Sequence, residues 1–154
     1  MVAVIGGGQL ARMMQEEAAR LGIHLRALVE APDGSTAQVT VDAPIGAADD
    51  EAAVRALVAG AAAAEGDDAP RLQAVGPADA LTFEHEHQDH ELLLALAEEG
   101  VSVQPSAQAL LLARDKLAMR RAMSEAGLPQ PAWAEAAGIT LLGRARDGAP
   151  ISTA

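Results

Sequence analysis

The sequence predicts an α/β fold in which a parallel β-sheet carries helices on both faces. Three observations predict it. Short apolar runs alternate with longer segments whose apolar residues recur at helical spacing, the pattern of β-α-β units rather than of hairpins. The first apolar run ends in three consecutive glycines, Gly6-Gly7-Gly8, the punctuation of a sharp strand-to-helix turn. Alanine contributes 37 residues and leucine 18, while aromatics make up 1% of the 154, a composition suited to close helix packing.

Taken in order, Val2–Ile5 reads as a buried strand entering that turn. Leu10, Met13, Met14, Ala18 and Leu21 then line one face of a helix that Gly22 stops. Leu25–Val29 gives a second strand, closed by Pro32-Asp33-Gly34, and Thr40–Val41 a third, weaker one. Asp49-Asp50-Glu51 loads negative charge at the start of an Ala-rich helix running to about Ala64, where the helix dipole favours it. Gly66–Pro70 reads as a loop, Ala80–Phe83 as a strand, and Glu91–Glu99 as a helix stopped by Gly100. Val101–Val103 is a last short strand before Pro105. Helices over Ala107–Leu112 and Leu117–Glu125 follow, ended by Gly127, Pro129 and Pro131. In such a Rossmann-like layout the connections are right-handed and ligands bind at the carboxyl ends of the strands.

Charge and composition exclude several classes of function. A net charge of −11 repels phosphates and argues against a nucleic-acid partner. No apolar run approaches the roughly 18 residues of a membrane span, and Met1–Ile5 has no basic region of a secretory signal. Zero Cys excludes thiol catalysis, disulfides and Cys-based zinc sites, and suits a cytoplasmic protein. Residues 30–100 hold 16 of the 22 acids but only Arg55 and Arg71 among the bases, whereas Arg114, Lys116, Arg120 and Arg121 fall close together. This shift marks a domain boundary near residue 113.

Three segments could carry chemistry. Gly6-Gly7-Gly8-Gln9-Leu10-Ala11 fits G-x-G-x-x-A, and Glu30 closes the second strand at the place of a ribose-binding acid. The same glycines serve any sharp turn that presents helix N–H groups to an anion, so a turn alone, a dinucleotide or another ligand all satisfy the pattern. Thr82-Phe83-Glu84-His85-Glu86-His87-Gln88-Asp89-His90 contains H-x-H-x-D-H, the zinc motif of metallo-β-lactamases. That site needs further histidines downstream, and none follows His90; no metal is expected. Glu84 or Glu86, at a strand's carboxyl end, instead reads as binding the same ligand as the glycine turn. The basic run Arg114-Asp115-Lys116-Leu117-Ala118-Met119-Arg120-Arg121 reads as a solvated face or a phosphate contact, without a Walker loop.

In order, Gly6-Gly7-Gly8-Gln9-Leu10-Ala11-Arg12-Met13, Leu81-Thr82-Phe83-Glu84-His85-Glu86-His87, Gln104-Pro105-Ser106, Arg114-Asp115-Lys116 and Gly127-Leu128-Pro129-Gln130-Pro131-Ala132-Trp133 resemble one family. It is 5-(carboxyamino)imidazole ribonucleotide synthase, an ATP-grasp ligase of purine biosynthesis, and the resemblance runs from residue 1 to about 135. It implies a Rossmann-like pre-ATP-grasp domain over 1–112 that does not bind NAD, followed over 113–135 by the first helix of an ATP-grasp module, and it leaves 136–154 as a truncated or non-family tail. It implies that Gly8, Gln9, Leu10, Glu84 and Glu86 contact aminoimidazole ribonucleotide, and that Lys116 reaches ATP. ATP, magnesium and bicarbonate are the family's further needs, carboxyphosphate is its intermediate, and a homodimer its usual assembly. The chain departs from the family in two places. Ala137–Ala154 has no lysine, glycine-rich lid or acidic pair, so the ATP-grasp module reads as truncated, with no catalytic residue here and no turnover expected of this chain alone. Gln88 stands where the family usually has a small apolar residue. An NAD(P)-binding module and a non-catalytic dimerising scaffold are the alternatives.

Overall fold

The structure, a computed structural model, describes residues 1–60 and 76–135. Strands β1 (Val2–Ile5), β2 (Leu25–Leu28) and β3 (Ala80–Phe83) form a parallel sheet in the order β2-β1-β3. The described residues also form five helices: α1 (Gln9–Leu21), α2 (Glu51–Ala59), α3 (His90–Glu98), α4 (Ala107–Arg114) and α5 (Lys116–Glu125). Val4 lies opposite Ala27 on one side and Thr82 on the other, and Ile5 lies between Leu28 and Phe83.

Because side chains alternate along a strand, each face of the sheet gathers its own core. Val4, Leu25, Ala27 and Val29 meet Ala11 and Ala18 of α1 on one face. Ala3, Ile5, Leu28, Leu81 and Phe83 turn to the other, against Val54 and Leu57 of α2, Leu93 and Leu96 of α3, and Ala107 and Leu110 of α4. Helices therefore cover both faces, as the alternating pattern predicts. Each fully buried Leu there contributes about 1.5–3 kcal/mol.

Helix ends follow their local chemistry. Gly22 takes the left-handed conformation (φ 67°) and closes α1. The Asp50 carboxylate accepts from the N–H groups of Ala52 and Ala53, and Asp89 and Ser106 cap α3 and α4 in the same way. The second helix stops at Ala59, before Gly60 at φ 76°, and so is shorter than the run to Ala64 predicted from the sequence. The stretch Ala61–Ala64 and the loop expected over Gly66–Pro70 lie outside the described residues.

Isolated bridges stand in place of the two weak strands of the sequence reading. Thr40–Val41 is not a strand; Asp42 bridges Arg26 and Ile45 bridges Val29, both in parallel. The carbonyls of Asp42 and Pro44 accept from Ala27 and Val29, but Pro44 has no N–H with which to continue a ladder. Over Val101–Val103, only Val103 bridges Leu81, and Pro105 ends the pairing. Beside β2, the buried Arg26 guanidinium donates to Asp42 at 2.8 Å and to the Leu57 carbonyl at 3.1 Å, and His24 meets the same Asp42 oxygen. This cluster ties the chain around residue 42 and the end of α2 to the sheet.

The chain divides into two compact units, residues 1–116 and 117–154. In the second, Gln130 donates from its amide to the Arg120 carbonyl and the Ser124 hydroxyl, and Arg121 pairs with Glu135 at 2.6 Å. No residue of α5 is buried. Among the described residues, no helix is long and apolar enough to cross a membrane.

Candidate ligand-binding site

The register between β1 and β3 brings two of the chemistry-bearing segments together. Ile5 and Phe83 are partners, so the glycine turn and Glu84 leave the sheet side by side at its carboxyl edge. The chain passes from β1 to β2 on one side and later to β3 on the other, which makes this a topological switch point. A cleft of about 370 Å³ opens there, bordered by the glycine turn, Glu30, Gly34, Gly46, Glu84 and His85.

Glu84 and the glycine turn hold each other. One carboxylate oxygen accepts from the Gly8 N–H at 2.8 Å, and the other from the Leu10 N–H at 3.3 Å. Gly8 sits at the N-cap of α1 and has no side chain to cap it, so a carboxylate from a distant strand does so. Negative charge at a helix N-terminus is favourable, and these N–H groups would otherwise lack partners. The glycines leave room for this arrangement. A Cβ at Gly6 would lie 2.6 Å from the Glu84 Cβ, and one at Gly8 would lie 2.3 Å from its carboxylate. A Cβ at Gly7 would press on Val29 at 3.0 Å.

This arrangement bears on the three readings of the glycine turn. A pyrophosphate would need the N–H groups that Glu84 already occupies, and would meet a carboxylate in their place. The geometry therefore disfavours a dinucleotide. It instead leaves the remaining lone pairs of a fixed carboxylate available to a ligand that donates hydrogen bonds.

The other predicted residues take distinct places. Gln9 opens α1 with an exposed side chain that makes no hydrogen bond among the described residues, and Leu10 beside it is 54% exposed. Glu86 is exposed and does not border the cleft. Its own backbone N–H, helped by His87, holds its carboxyl below the usual range. Lys116 is exposed at the first position of α5. Arg114, in the same basic run, donates to the Gln88 carbonyl at 2.9 Å and so braces the loop after β3.

Among the described residues no group of three or more His, Asp or Glu side chains is placed so that it could hold a metal ion. His85 and His87 lie with ring centres 5.9 Å apart. His85 Nδ1 accepts instead from the His87 N–H and the Gln88 amide.

Thr36 is a structural partner of the site that sequence reasoning missed. Its N–H donates to the Gly7 carbonyl at 3.0 Å, and its hydroxyl to the Gly8 carbonyl at 2.8 Å. Arg12 adds a bond to the Ser35 carbonyl. These contacts pin the loop after β2 onto the glycine turn. The only local signal was the turn Pro32-Asp33-Gly34, which marks a bend but not where it folds back.

The chain is similar to known proteins in sequence and in fold. Residues 1–67 match the family described as the ribonucleotide synthetase preATP-grasp domain. Over 134 residues the chain is 45% identical to N5-carboxyaminoimidazole ribonucleotide synthase of Mycobacterium bovis, covering 87% of this chain and 27% of that protein. The crystal structure of the Thermotoga maritima synthetase is similar with a TM-score of 0.70 at 27% identity, covering 85% of this chain and 32% of that one. The Aspergillus clavatus synthase, solved in complex with ADP and 5-aminoimidazole ribonucleotide, gives 0.66 at 30% identity, covering 83% of this chain and 30% of that one. The fold and the match over residues 1–67 are those of a pre-ATP-grasp domain of the ribonucleotide synthetase class. Within that class, the chain is similar to the N-terminal part of the N5-carboxyaminoimidazole ribonucleotide synthases. It spans about a quarter of the length of the curated relatives, 27% for the Mycobacterium bovis protein.

Proposed function

We propose that this chain forms the ribonucleotide-binding part of an ATP-dependent ligase that carboxylates aminoimidazole ribonucleotide with bicarbonate. The supporting observation is the Glu84 carboxylate, fixed by the Gly8 and Leu10 N–H groups beside an open cleft. A carboxylate so held accepts hydrogen bonds without having to reorient, which favours ribose hydroxyls or the amine of the ligand. On this reading Gly8 and Leu10 act mainly through Glu84, and Gln9, which does not border the cleft, offers its exposed amide from the first position of α1. Glu86 stands outside the cleft lining and is assigned only a peripheral contact.

In the reaction proposed, ATP and bicarbonate supply carboxyphosphate, and its carboxyl group passes to the amine of the ribonucleotide. The residues of this chain bind and orient the acceptor. Residues 1–112 form the ribonucleotide-binding domain, residues 113–135 begin the ATP-grasp module, and Lys116 offers one cationic contact to ATP. The described residues bring no carboxylate set together for magnesium, and no step is assigned to the metal here.

Mapping by amide chemical shifts tests this reading. Adding 5-aminoimidazole ribonucleotide to the labelled chain is expected to move Gly8, Gln9, Leu10, Glu84 and His85 saturably, and to leave Lys116 unmoved. Shifts confined to other surfaces would refute the site.

A further inference from the structure

We propose that His85 is a second ligand-binding residue of the cleft, fixed by Gln88 as the Nε2–H tautomer so that it donates to a sugar or phosphate oxygen. The proposal rests on the ribonucleotide reading of the cleft and names the group that complements Glu84 there.

The tautomer follows from three contacts. The Gln88 amide nitrogen lies 3.2 Å from the His85 carbonyl and 3.2 Å from His85 Nδ1. A carbonyl oxygen only accepts, so the end of the amide that faces it is the NH₂ group. That same NH₂ then donates to Nδ1, which must carry a lone pair. The His87 backbone N–H, which can only donate, reaches Nδ1 as well at 3.2 Å. Two donors on one ring nitrogen place the proton of the neutral ring on the other. Nε2 has no hydrogen-bond partner among the described residues, and His85 borders the cleft immediately after Glu84.

The two neighbours are complementary. Glu84 only accepts hydrogen bonds; His85, in this tautomer, has a single ring N–H to donate. A sugar hydroxyl can donate to the first and accept from the second, and a phosphate oxygen can accept from the second alone. Gln88 also fits this role better than a purely structural one. It is 3% exposed, yet its own side-chain oxygen has no hydrogen-bond partner among the described residues. An apolar residue, such as the one expected here from the family resemblance, would fill the space without stranding that oxygen. What the amide adds is its grip on His85, which makes Gln88 a positioning residue.

Two measurements test the proposal. In the ligand-free chain, long-range nitrogen–proton correlation of the imidazoles is expected to show His85 protonated at Nε2 alone, with the Nδ1–H form appearing in Gln88→Val. For binding, calorimetry with 5-aminoimidazole ribonucleotide is expected to show about five- to tenfold weaker binding by His85→Phe. His85→Gln, which keeps an N–H donor, is expected to recover most of the loss. Repeating the series with the unphosphorylated riboside separates the acceptors: a persisting loss assigns the bond to a sugar oxygen, and a vanishing one to phosphate. Unchanged affinity in His85→Phe, with binding lost in Glu84→Gln, would overturn the role of His85 and leave the cleft reading intact. Unchanged affinity in both variants, or no binding by the unaltered chain, would remove the cleft reading and this role with it. A dominant Nδ1–H ring would by itself refute the tautomer.

Discussion

The two faces of the sheet are built differently. The face under α2, α3 and α4 buries Ile5, Leu28, Leu57, Leu81, Phe83, Leu93 and Leu96, large side chains that supply most of the apolar area removed from water. The face under α1 buries Ala11, Ala18 and Ala27 with Val4, Val29 and Leu25. Small residues bring α1 close to the sheet, and its N-terminus thereby reaches the end of β3, where Glu84 waits. The first face holds the domain together, and the second aims a helix at a carboxylate. Stability and binding are thus separable by mutation.

The largest expected effect lies on the bulky face. Leu57→Ala or Leu93→Ala should cost about 2–5 kcal/mol in urea unfolding, the usual cost of a cavity in a well-packed core. Val4→Ala on the other face removes fewer methyl groups and should cost about 2 kcal/mol. Equal losses would mean that the two faces contribute alike.

Gly8→Ala sharpens the contrast from the binding side. Its new Cβ would overlap the Glu84 carboxylate, so Glu84 or the turn must shift. Ribonucleotide binding should fall by about tenfold or more. The urea midpoint should move less than in Leu57→Ala.

Gln88→Leu should change stability by less than about 1 kcal/mol, since it removes a stranded oxygen along with the bonds to His85. A larger loss by thermal unfolding would show that the amide supports the fold itself.

The smallest effect expected is electrostatic. Arg55 of α2 pairs with Glu51 and with Glu99 at the end of α3, both at 2.7 Å. The hydrogen bond from Arg55 holds the Glu99 carboxyl below its ordinary range. A carboxyl depressed by folding adds stability above its unfolded pKa and loses it as pH falls through its folded one. Thermal unfolding should therefore show a slight acid-side loss that Arg55→Gln removes and added salt weakens. Identical acid profiles for the two proteins would deny the pair any role.

Much of this architecture is legible in the sequence because it is local. Val2–Ile5 and Ala80–Phe83 are apolar runs bounded by turn formers, and Gly22 and Asp50 end and begin helices through backbone geometry and capping alone. What local pattern misjudged depends on the chain's neighbours. Apolar content at Thr40–Val41 suggested a strand, but edge pairing passes instead through Asp42 and Ile45, where Arg26 holds the carboxylate. Glu84 and the glycine turn were each readable as ligand groups. That they bind one another was not, since it depends on two strands about 80 residues apart lying in register. Likewise, His85 and Gln88 suggested a metal motif and a family deviation, and only their contact gives them a shared role.

Ligand competition at the glycine turn tests the central claim most directly: that the turn exists to seat Glu84. Calorimetric titration of the chain with 5-aminoimidazole ribonucleotide and, separately, with NAD should show binding of the ribonucleotide only. Glu84→Gln should weaken it by about tenfold or more without creating affinity for NAD. NAD binding by the unaltered chain, indifferent to Glu84→Gln, would contradict the account.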